Sequence, residues 1–360
     1  MPLYVVFIDF KKAFDSVELP AIWEALERFD VDVGDIEIIK MIYAHGSSSV
    51  NVGTSSVPIN VQKGVRQGDT LSPLLFILVL QLALNQVNWK NGININGSIL
   101  GHLDFADDIA LLSQTLEGAQ SLLDQVAEKC REVGLHINVD KTKWMSNVRD
   151  PNEIILLNDE EVEKVNEFIY LGQIVKWPSQ PGRFNKEISR RICSGWNAFN
   201  KAKKLLISRR IPAYLKRKYF NQCIFPAMLY GCETWCLTKT EETRLAVAQR
   251  KIERRMLNVR LLDQHSREWL RERTQLKDIV QAARERKWNY LRKLMLLPDD
   301  RWNRKLTEWI PNTRRPVGRP PTRWMDDFTK FTNKNFNELL SLCLTNFWCC
   351  NVSPFVLRDR

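Results

Sequence analysis

Three acidic residues stand at positions that are hard to explain by structure alone. Asp9 ends the continuous apolar run that begins at Leu3, and Asp107 and Asp108 lie between two apolar arms in 99–112 (ILGHLDFADDIALL). Adjacent carboxylates repel each other, and burying one without a partner costs several kcal/mol. Convergent carboxylates suit Mg²⁺, and two such ions about 3.5–4 Å apart promote phosphoryl transfer. For each acid alone, an ordinary turn or cap residue is the alternative.

The elements that must position these acids show a mixture of strand and helix patterns. The run 3–9 predicts a buried strand, and 99–112 predicts a hairpin with Ala106-Asp107-Asp108 at its tip. If the strand lies beside the hairpin, Asp9 and one of the tandem acids converge. Further predictions are a helix at 20–29, a hairpin of 50–52 and 57–61, a helix to about Val87 that Ser72 caps and Pro73 begins, a helix at 115–132 ended by Gly134, and strands at 137–139 and 168–171. The first 175 residues are therefore predicted to be α+β.

Charge is distributed unevenly along the chain. The net charge is +11, yet residues 1–150 have 12 Lys and Arg against 19 Asp and Glu, whereas residues 181–330 have 36 against 15. A single-sign field of this size costs self-repulsion, and a polyanionic partner such as nucleic acid explains it most simply. The alternative is a set of solvated helices, which usually mixes the two signs more evenly.

The second half of the chain contains basic segments with helical periodicity, at 184–207, 212–229, 240–261 and 277–296. The stretch 314–324 (RRPVGRPPTRW) predicts an extended basic segment, because its Gly and Pro residues exclude a helix. Candidates for phosphate binding cluster near Trp196 and Phe199: Arg190, Arg191, Lys201, Lys203 and Lys204. A solvated helix face is the alternative for these cations.

Composition excludes several classes of protein. The apolar run 74–80 is too short to span a bilayer. The N-terminus has neither a basic region nor a small-residue cleavage site, which argues against a signal peptide. The eight cysteines show no disulfide framework and no complete set of zinc ligands. We therefore expect an intracellular protein of the nucleus or cytoplasm, neither secreted nor bound to a membrane.

Five sequence blocks follow one another in order: FIDFKKAFDS (7–16), KGVRQGDTLSP (63–73), FADD (105–108), GLHINVDKTK (134–143) and FIYLG (168–172). In this order and spacing they resemble the reverse transcriptase family. The FADD form and FPAMLYGCETW (225–235) look like the non-LTR, LINE-type retrotransposon branch. The tail RRPVGRPPTRW is similar to the C-terminal segment of RTE-like elements of that branch.

The resemblance implies a polymerase palm, an antiparallel sheet with packed helices, over residues 1–178. A basic all-α thumb would follow at 179–300, and an extended basic C-terminal segment at 301–360. The implied activity adds dNTPs to a DNA 3′ end on an RNA template and releases pyrophosphate. Two Mg²⁺ ions, with Mn²⁺ as a substitute, would serve this reaction. RNA template, DNA primer and dNTPs are the implied partners.

The resemblance also implies roles for single residues around the acids. The metal-binding set would be Asp9, Phe10 through its carbonyl, Asp107 and Asp108. Lys141 would protonate the leaving pyrophosphate or balance its charge, with Lys143 as a rival.

Substrate contacts are implied for two further blocks and for one aromatic ring. Phe14 would exclude a 2′-hydroxyl from the incoming sugar. Arg66, Gln67 and Gly68 would form a nucleotide-contacting turn, which an Arg66–Asp69 ion pair could hold. The hairpin that grips the primer would include Phe168, Tyr170, Leu171 and Gly172.

Only eight residues precede Asp9, whereas the family's fingers and the LINE-type endonuclease lie upstream of this block. We therefore expect a fragment of an element, with weak or no polymerase activity on its own. The rival hypothesis is a catalytically inactive nucleic-acid-binding remnant of such an element. A nuclease using the same acids is disfavoured, because Phe14 and Gln67 would have no role in it.

Overall fold

A computed structural model gives the architecture of the chain. It describes residues 1–46, 48–52, 55–59, 62–148, 150, 152–177, 184–309, 323–332 and 338. The chain divides into two compact units, Met1–Pro178 and Ser179–Arg360. Among the described residues, no helix combines the length and the apolar character needed to cross a bilayer.

The first unit contains both strands and helices. Its strands are β1 (Tyr4–Ile8), β2 (Ser48–Val52), β3 (Ser55–Ile59), β4 (Ile93–Ile95), β5 (Ser98–Leu100), β6 (His102–Phe105), β7 (Asp108–Ser113), β8 (Lys143–Ser146), β9 (Leu156–Leu157), β10 (Glu160–Glu161), β11 (Glu163–Lys164), β12 (Glu167–Tyr170) and β13 (Gln173–Lys176). Its α-helices are α1 (Ala13–Ser16), α2 (Leu19–Arg28), α3 (Val33–Ala44), α4 (Ser72–Leu84) and α5 (Leu116–Glu132).

A five-stranded sheet with the order β11-β8-β1-β7-β6 is the frame of the first unit. β1 is antiparallel to β7 and β8, and β7 is antiparallel to β6, whereas β11 pairs in parallel with β8. β1 is central because its apolar side chains serve two cores: Val6 and Ile8 belong to one, and Phe7 belongs to the other. The predicted α+β palm fold is confirmed.

Helices α2, α4 and α5 build the larger core of this unit against the sheet. α4 is apolar on most sides because it is buried, with Phe76 and Val79 inaccessible to solvent. α5 begins at Thr115, whose hydroxyl accepts a hydrogen bond from the Gly118 N at 3.0 Å. After its end, Gly134 has a φ of +87°, and a Cβ there would lie 2.5 Å from the Ser16 carbonyl oxygen.

Every element described in the second unit is helical. Its α-helices are α6 (Asn185–Lys201), α7 (Lys203–Ile207), α8 (Ala213–Tyr219), α9 (Phe225–Met228), α10 (Lys239–Leu257), α11 (Arg267–Thr274), α12 (Ile279–Met295), α13 (Trp302–Glu308) and α14 (Asp326–Thr332), with a π-helical turn at Phe220–Ile224. The predicted all-α architecture is confirmed for this part of the chain.

The core of the second unit forms where α6, α9, α10 and α12 meet. Ile188, Phe199, Leu245 and Ile252 are among its buried residues. α6 and α9 approach closely at Gly195, because a Cβ at that position would lie 2.3 Å from the Met228 Cγ.

Two strand predictions for the first unit are wrong in detail, and one strand was not predicted. The hairpin arm before the acids begins at His102, because 98–100 pairs instead with 93–95. Residues 137–139 form no strand, and Ile137 makes only an isolated bridge with Phe10. The strand beside β1 is β8, which the sequence patterns did not indicate.

One predicted helix start is wrong, and one helix in the second unit was not predicted. Ser72 is not a cap, because Leu71 occupies that position and the Ser72 hydroxyl donates a hydrogen bond to the Arg66 carbonyl at 2.5 Å. Helix α11 was not expected from the periodicity. Within 301–360, the segment predicted to be extended, the described residues include the helices α13 and α14, so the prediction is wrong there. Most of 314–324 lies outside the described residues, so its extended conformation stays a prediction.

Candidate active site

β1 and the β6–β7 hairpin bring the predicted acids to one end of the sheet. The register pairs Ile8 with Ile109. Asp9 follows Ile8 and Asp108 precedes Ile109, so the antiparallel register sets Asp9 beside Asp108. Between Phe105 and Asp108 the chain reverses at 106–107, where Ala106 has the left-handed φ of 54°. Asp107 consequently lies at the tip of the hairpin, next to the other two acids.

The carboxylates act on one another electrostatically. Burial raises the pKa of Asp108, and the negative charges of Asp107 and Asp9 raise it further. The Oδ2 atom of Asp9 is buried and has no hydrogen-bond partner among the described residues. The Lys141 Nζ lies 3.5 Å from this atom. This end of the sheet therefore has excess negative charge and an unsatisfied acceptor.

The backbone of Asp9 is held by the loop that precedes β8. Its N–H donates to the Thr142 Oγ1 at 3.3 Å, and its carbonyl accepts from the Asn138 N–H at 2.8 Å. Sequence reasoning did not identify either residue. The Asp9–Thr142 bond joins residues 133 positions apart, so no local pattern indicates it.

The donor set fits a hard divalent cation. Carboxylate oxygens are the ligands that Mg²⁺ prefers, and an ion would offset the repulsion that raises the pKa of Asp108. As the side chains stand, no three His, Cys, Asp or Glu residues in the described ranges are grouped closely enough to hold a metal. The Lys141 ammonium instead supplies the positive charge nearest to Asp9. Phe10, whose carbonyl is the remaining predicted metal ligand, is a buried residue, 6% exposed.

Phe14 is positioned by packing from two sides. Its ring stacks on Phe76 of α4, with 4.8 Å between the ring centroids. Its carbonyl accepts a hydrogen bond from the Val65 N–H at 2.7 Å, which ties the 63–68 turn to α1. The ring is half-buried, and Phe76 supports one of its faces.

Gln67 and Gly68 follow at the exposed end of this turn. The Gln67 Nε2 donates to the Asp15 Oδ1 at 2.9 Å. Gly68 has a φ of +92°, and no atom lies within 4 Å of the position of a Cβ. Backbone and space are therefore both available to a ligand at this position.

The contacts of Arg66 differ from the predicted ion pair. Its guanidinium donates to the Ile42 carbonyl at 2.5 Å and lies over the Tyr43 ring at 5.0 Å. The Asp69 carboxylate accepts from the Leu71 N–H at 3.1 Å. The expected Arg66–Asp69 ion pair is thus wrong for the described residues, and Arg66 ties the turn to α3.

The two candidate lysines have different surroundings. Lys143 pairs with Glu163 at 2.8 Å and also donates to the Asp140 carbonyl. Lys141 has a side chain 67% exposed and lies beside Asp9. This geometry favours Lys141 over Lys143 as the lysine that acts at the acids.

The β12–β13 hairpin is anchored to the strands that hold the acids. Phe168 stacks on Phe7 of β1, with 4.4 Å between ring centroids. The Tyr170 hydroxyl donates to the Leu103 carbonyl at 3.2 Å and lies 3.4 Å from the Asp108 carbonyl. Leu171 and Gly172 make the turn, with φ values of 47° and 71°.

The predicted phosphate-binding cations in the second unit fall into two groups. Lys201, Lys203 and Lys204 are exposed. Arg191 is 7% exposed and pairs with the buried Glu187 at 2.5 Å, so its assignment to nucleic-acid binding is corrected to a structural role. Arg190 pairs with the same carboxylate at 2.9 Å and is partly exposed.

The fold and the acids at the end of its sheet define a polymerase palm, and comparisons with known proteins agree. The profile of the family described as "Reverse transcriptase (RNA-dependent DNA polymerase)" matches residues 2–175. A transposon-derived protein of Caenorhabditis elegans is 33% identical over 248 residues, which cover 66% of the chain and 86% of that protein. The chain therefore belongs to the reverse transcriptase family, the RNA-directed DNA polymerases.

Longer relatives match over a smaller share of their length. The Pol polyprotein of retrotransposable element R2DM from Drosophila melanogaster is 35% identical over 38% of the chain, and the R2 polyprotein of Nasonia vitripennis is 38% identical over 42%. The chain spans only 13% and 15% of these two polyproteins. Among solved structures, apo telomerase from Candida tropicalis aligns over 86% of the chain and 54% of its own, at 12% identity and a TM-score of 0.42.

Proposed function

We propose that this chain adds dNTPs to a DNA 3′ end on an RNA template, with Asp9, Asp107 and Asp108 as the catalytic acids. The main support is the pairing of β1 with β7, which sets Asp9 beside the tandem acids. Two further observations support the proposal: the pKa of Asp108 is raised, and the Asp9 Oδ2 has no hydrogen-bond partner among the described residues, and a divalent cation would compensate for both.

The residues around the acids have separate tasks in this proposal. Asp9, Asp107 and Asp108, with the Phe10 carbonyl, would hold two Mg²⁺ ions, whose charge would lower the pKa of the primer hydroxyl and offset the charge of the phosphates. Lys141 donates a proton to the leaving pyrophosphate or balances its charge.

Nucleotide and primer are positioned by the flanking elements. Phe14 lies under the incoming sugar, and Gln67 and Gly68 contact the nucleotide from the turn after β3. The hairpin of Phe168 and Tyr170 supports the primer end, because it is anchored to the same strands as the acids. The exposed lysines of the second unit bind template or primer phosphates.

Primer extension by the full chain with Mg²⁺ and dNTPs tests this proposal. We expect the unaltered chain to extend a primer slowly on an RNA template. Asp107→Asn should abolish this extension, because the neutral amide replaces one anionic metal ligand. Asp124→Asn is the matched control, since Asp124 is an exposed acid on α5 that accepts only from Gln120 in the described residues. Unchanged extension by the Asp107 variant would contradict the assignment of the acids.

The inactive nucleic-acid-binding remnant is the second candidate, and the basic second unit supports it equally. Both candidates predict binding whose logarithmic affinity falls linearly with the logarithm of salt concentration. They differ in extension: binding without extension by the unaltered chain, in Mg²⁺ or in Mn²⁺, would favour the remnant.

A further inference from the structure

A cleft of about 660 Å³ opens on the first unit beside the acids. Its lining comes from three parts of the unit: residues 10–16, residues 127–141 and Asn158. The cleft is therefore built by the segment after β1, the end of α5, the loop that leads to β8 and the β9–β10 turn.

Hydrogen bonds fix the walls of this cleft relative to one another. The Lys11 N–H donates to the His136 carbonyl at 2.8 Å, which joins the segment after β1 to the loop after α5. The Arg131 guanidinium donates to the Asn158 Oδ1 at 2.8 Å, which joins α5 to the β9–β10 turn. The cleft is consequently present before any ligand binds, as is usual for small-molecule sites.

The charge of the cleft is opposite to that of its surroundings. Residues 1–150 have 12 basic against 19 acidic side chains. Four of the basic side chains line this one cleft, against Asp140 as the acid: Lys11, Lys12, Arg131 and Lys141. In the described residues, no hydrogen bond or ion pair engages the ammonium groups of Lys11 and Lys12. The cleft is thus a strongly positive site in an acidic unit, suited to a small, multiply charged anion.

Lys141 connects the cleft with the acids. It lines the cleft, and its Nζ lies 3.5 Å from the Asp9 Oδ2. An anion released at the acids would therefore be close to Lys141, one of the four cations that line the cleft.

We propose that this cleft binds the inorganic pyrophosphate released by nucleotidyl transfer, with Arg131, Lys11 and Lys12 as its contacts. The inference rests on the proposed function for the source of the anion. The triphosphate of an incoming dNTP has the same diphosphate chemistry, so the experiment must separate the two sources.

Calorimetric titration of inorganic pyrophosphate into the full chain, without divalent metal, tests this proposal. We expect Arg131→Glu to weaken binding at least about tenfold, because a charge-assisted contact is lost and a repulsive one is gained. Lys90→Glu is the matched control, since Lys90 is an exposed cation of the same unit outside the cleft. This control should bind pyrophosphate as the unaltered chain does, and circular dichroism verifies that both variants are folded.

Further titrations, with dTTP and with a short DNA strand, identify which ligand binds in the cleft. dTTP affinity should change less than about twofold in Arg131→Glu, whereas a tenfold loss would assign the cleft to the incoming triphosphate and overturn the proposal. Displacement of pyrophosphate by a short DNA strand would assign it to nucleic acid, and also overturn it. Absent binding, or equal binding by the variant and the unaltered chain, would refute it directly.

This test is independent of polymerase activity. Asp107→Asn removes extension if the proposed function is correct, yet it leaves the cleft cations in place and should not weaken pyrophosphate binding. A chain that binds pyrophosphate but never extends a primer would refute the proposed function alone.

Discussion

Phe14 is the residue whose size sets the choice of sugar in the proposed reaction. Its ring stacks on Phe76, and its carbonyl accepts a hydrogen bond from Val65, which holds the backbone that carries the ring. We expect Phe14→Ala to reduce the preference for dNTPs over ribonucleotides by about tenfold or more, because the ring no longer excludes the 2′-hydroxyl. Single-nucleotide incorporation with each substrate measures this ratio.

The control for this experiment is Phe14→Tyr, which keeps the ring. It should preserve the preference, whereas Phe14→Ala with an unchanged ratio would show that the ring only fills the core. Incorporation of both substrates reduced in equal proportion would likewise assign Phe14 to the core alone.

The three acids could be predicted from the sequence, but the residues that hold the Asp9 backbone, Asn138 and Thr142, could not. Asp9 and Asp107 stand out because a carboxylate interrupts an apolar pattern. Arg191 was predicted wrongly for a related reason. Its charge suggests a nucleic-acid contact, but it is buried against Glu187, and only the tertiary packing determines that burial.

The contact between α6 and α9 depends on Gly195. A Cβ at this position would lie 2.3 Å from the Met228 Cγ, so Met228 must move to accept it. We expect Gly195→Ala to destabilise the chain by about 1–3 kcal/mol, although alanine favours a helix, because overpacking outweighs propensity. Denaturant unfolding of the full chain measures the change.

A double-mutant cycle with Met228→Ala locates the cause. If the clash is with Met228, the combined loss is smaller than the sum of the single losses. Additive losses would mean that Gly195 matters for another reason.

Elements with a strong periodic pattern were predictable, whereas those defined by distant pairing were not. β1 and the basic helices follow from local periodicity. β8 has only the buried pair Trp144 and Met145 between less buried neighbours, and it becomes a strand because it pairs with β1. Residues 137–139 look similar in sequence but lie in a loop, where Asn138 supports Asp9 instead.

The stability of the whole chain should depend on the protonation of one buried acid. Glu253 of α10 is 0% exposed, and burial raises its pKa from an ordinary 4.5 to about 7 despite the nearby Arg271. Between these values the folded chain keeps a proton that the unfolded chain has released. Stability therefore falls as pH rises from about 4.5 to above 7, by on the order of 3 kcal/mol from this group.

The variant Glu253→Gln isolates this effect, because its amide does not titrate. We expect the difference in unfolding free energy between the variant and the unaltered chain to shift by on the order of 3 kcal/mol between pH 5 and pH 8. Chemical denaturation at several pH values, followed by tryptophan fluorescence, measures it. A difference that is constant with pH would contradict the raised pKa.

The strand β11 ends the sheet in a way that affects how copies of the chain behave at high concentration. It consists of Glu163 and Lys164, and these charges pair with Lys143 and Glu153 at 2.8 and 2.9 Å. Short, charged border strands give a foreign strand little free backbone to join, and they repel apolar neighbours. At high concentration, we therefore expect no fibres and no sheet shared between copies of the chain to form through the β11 edge.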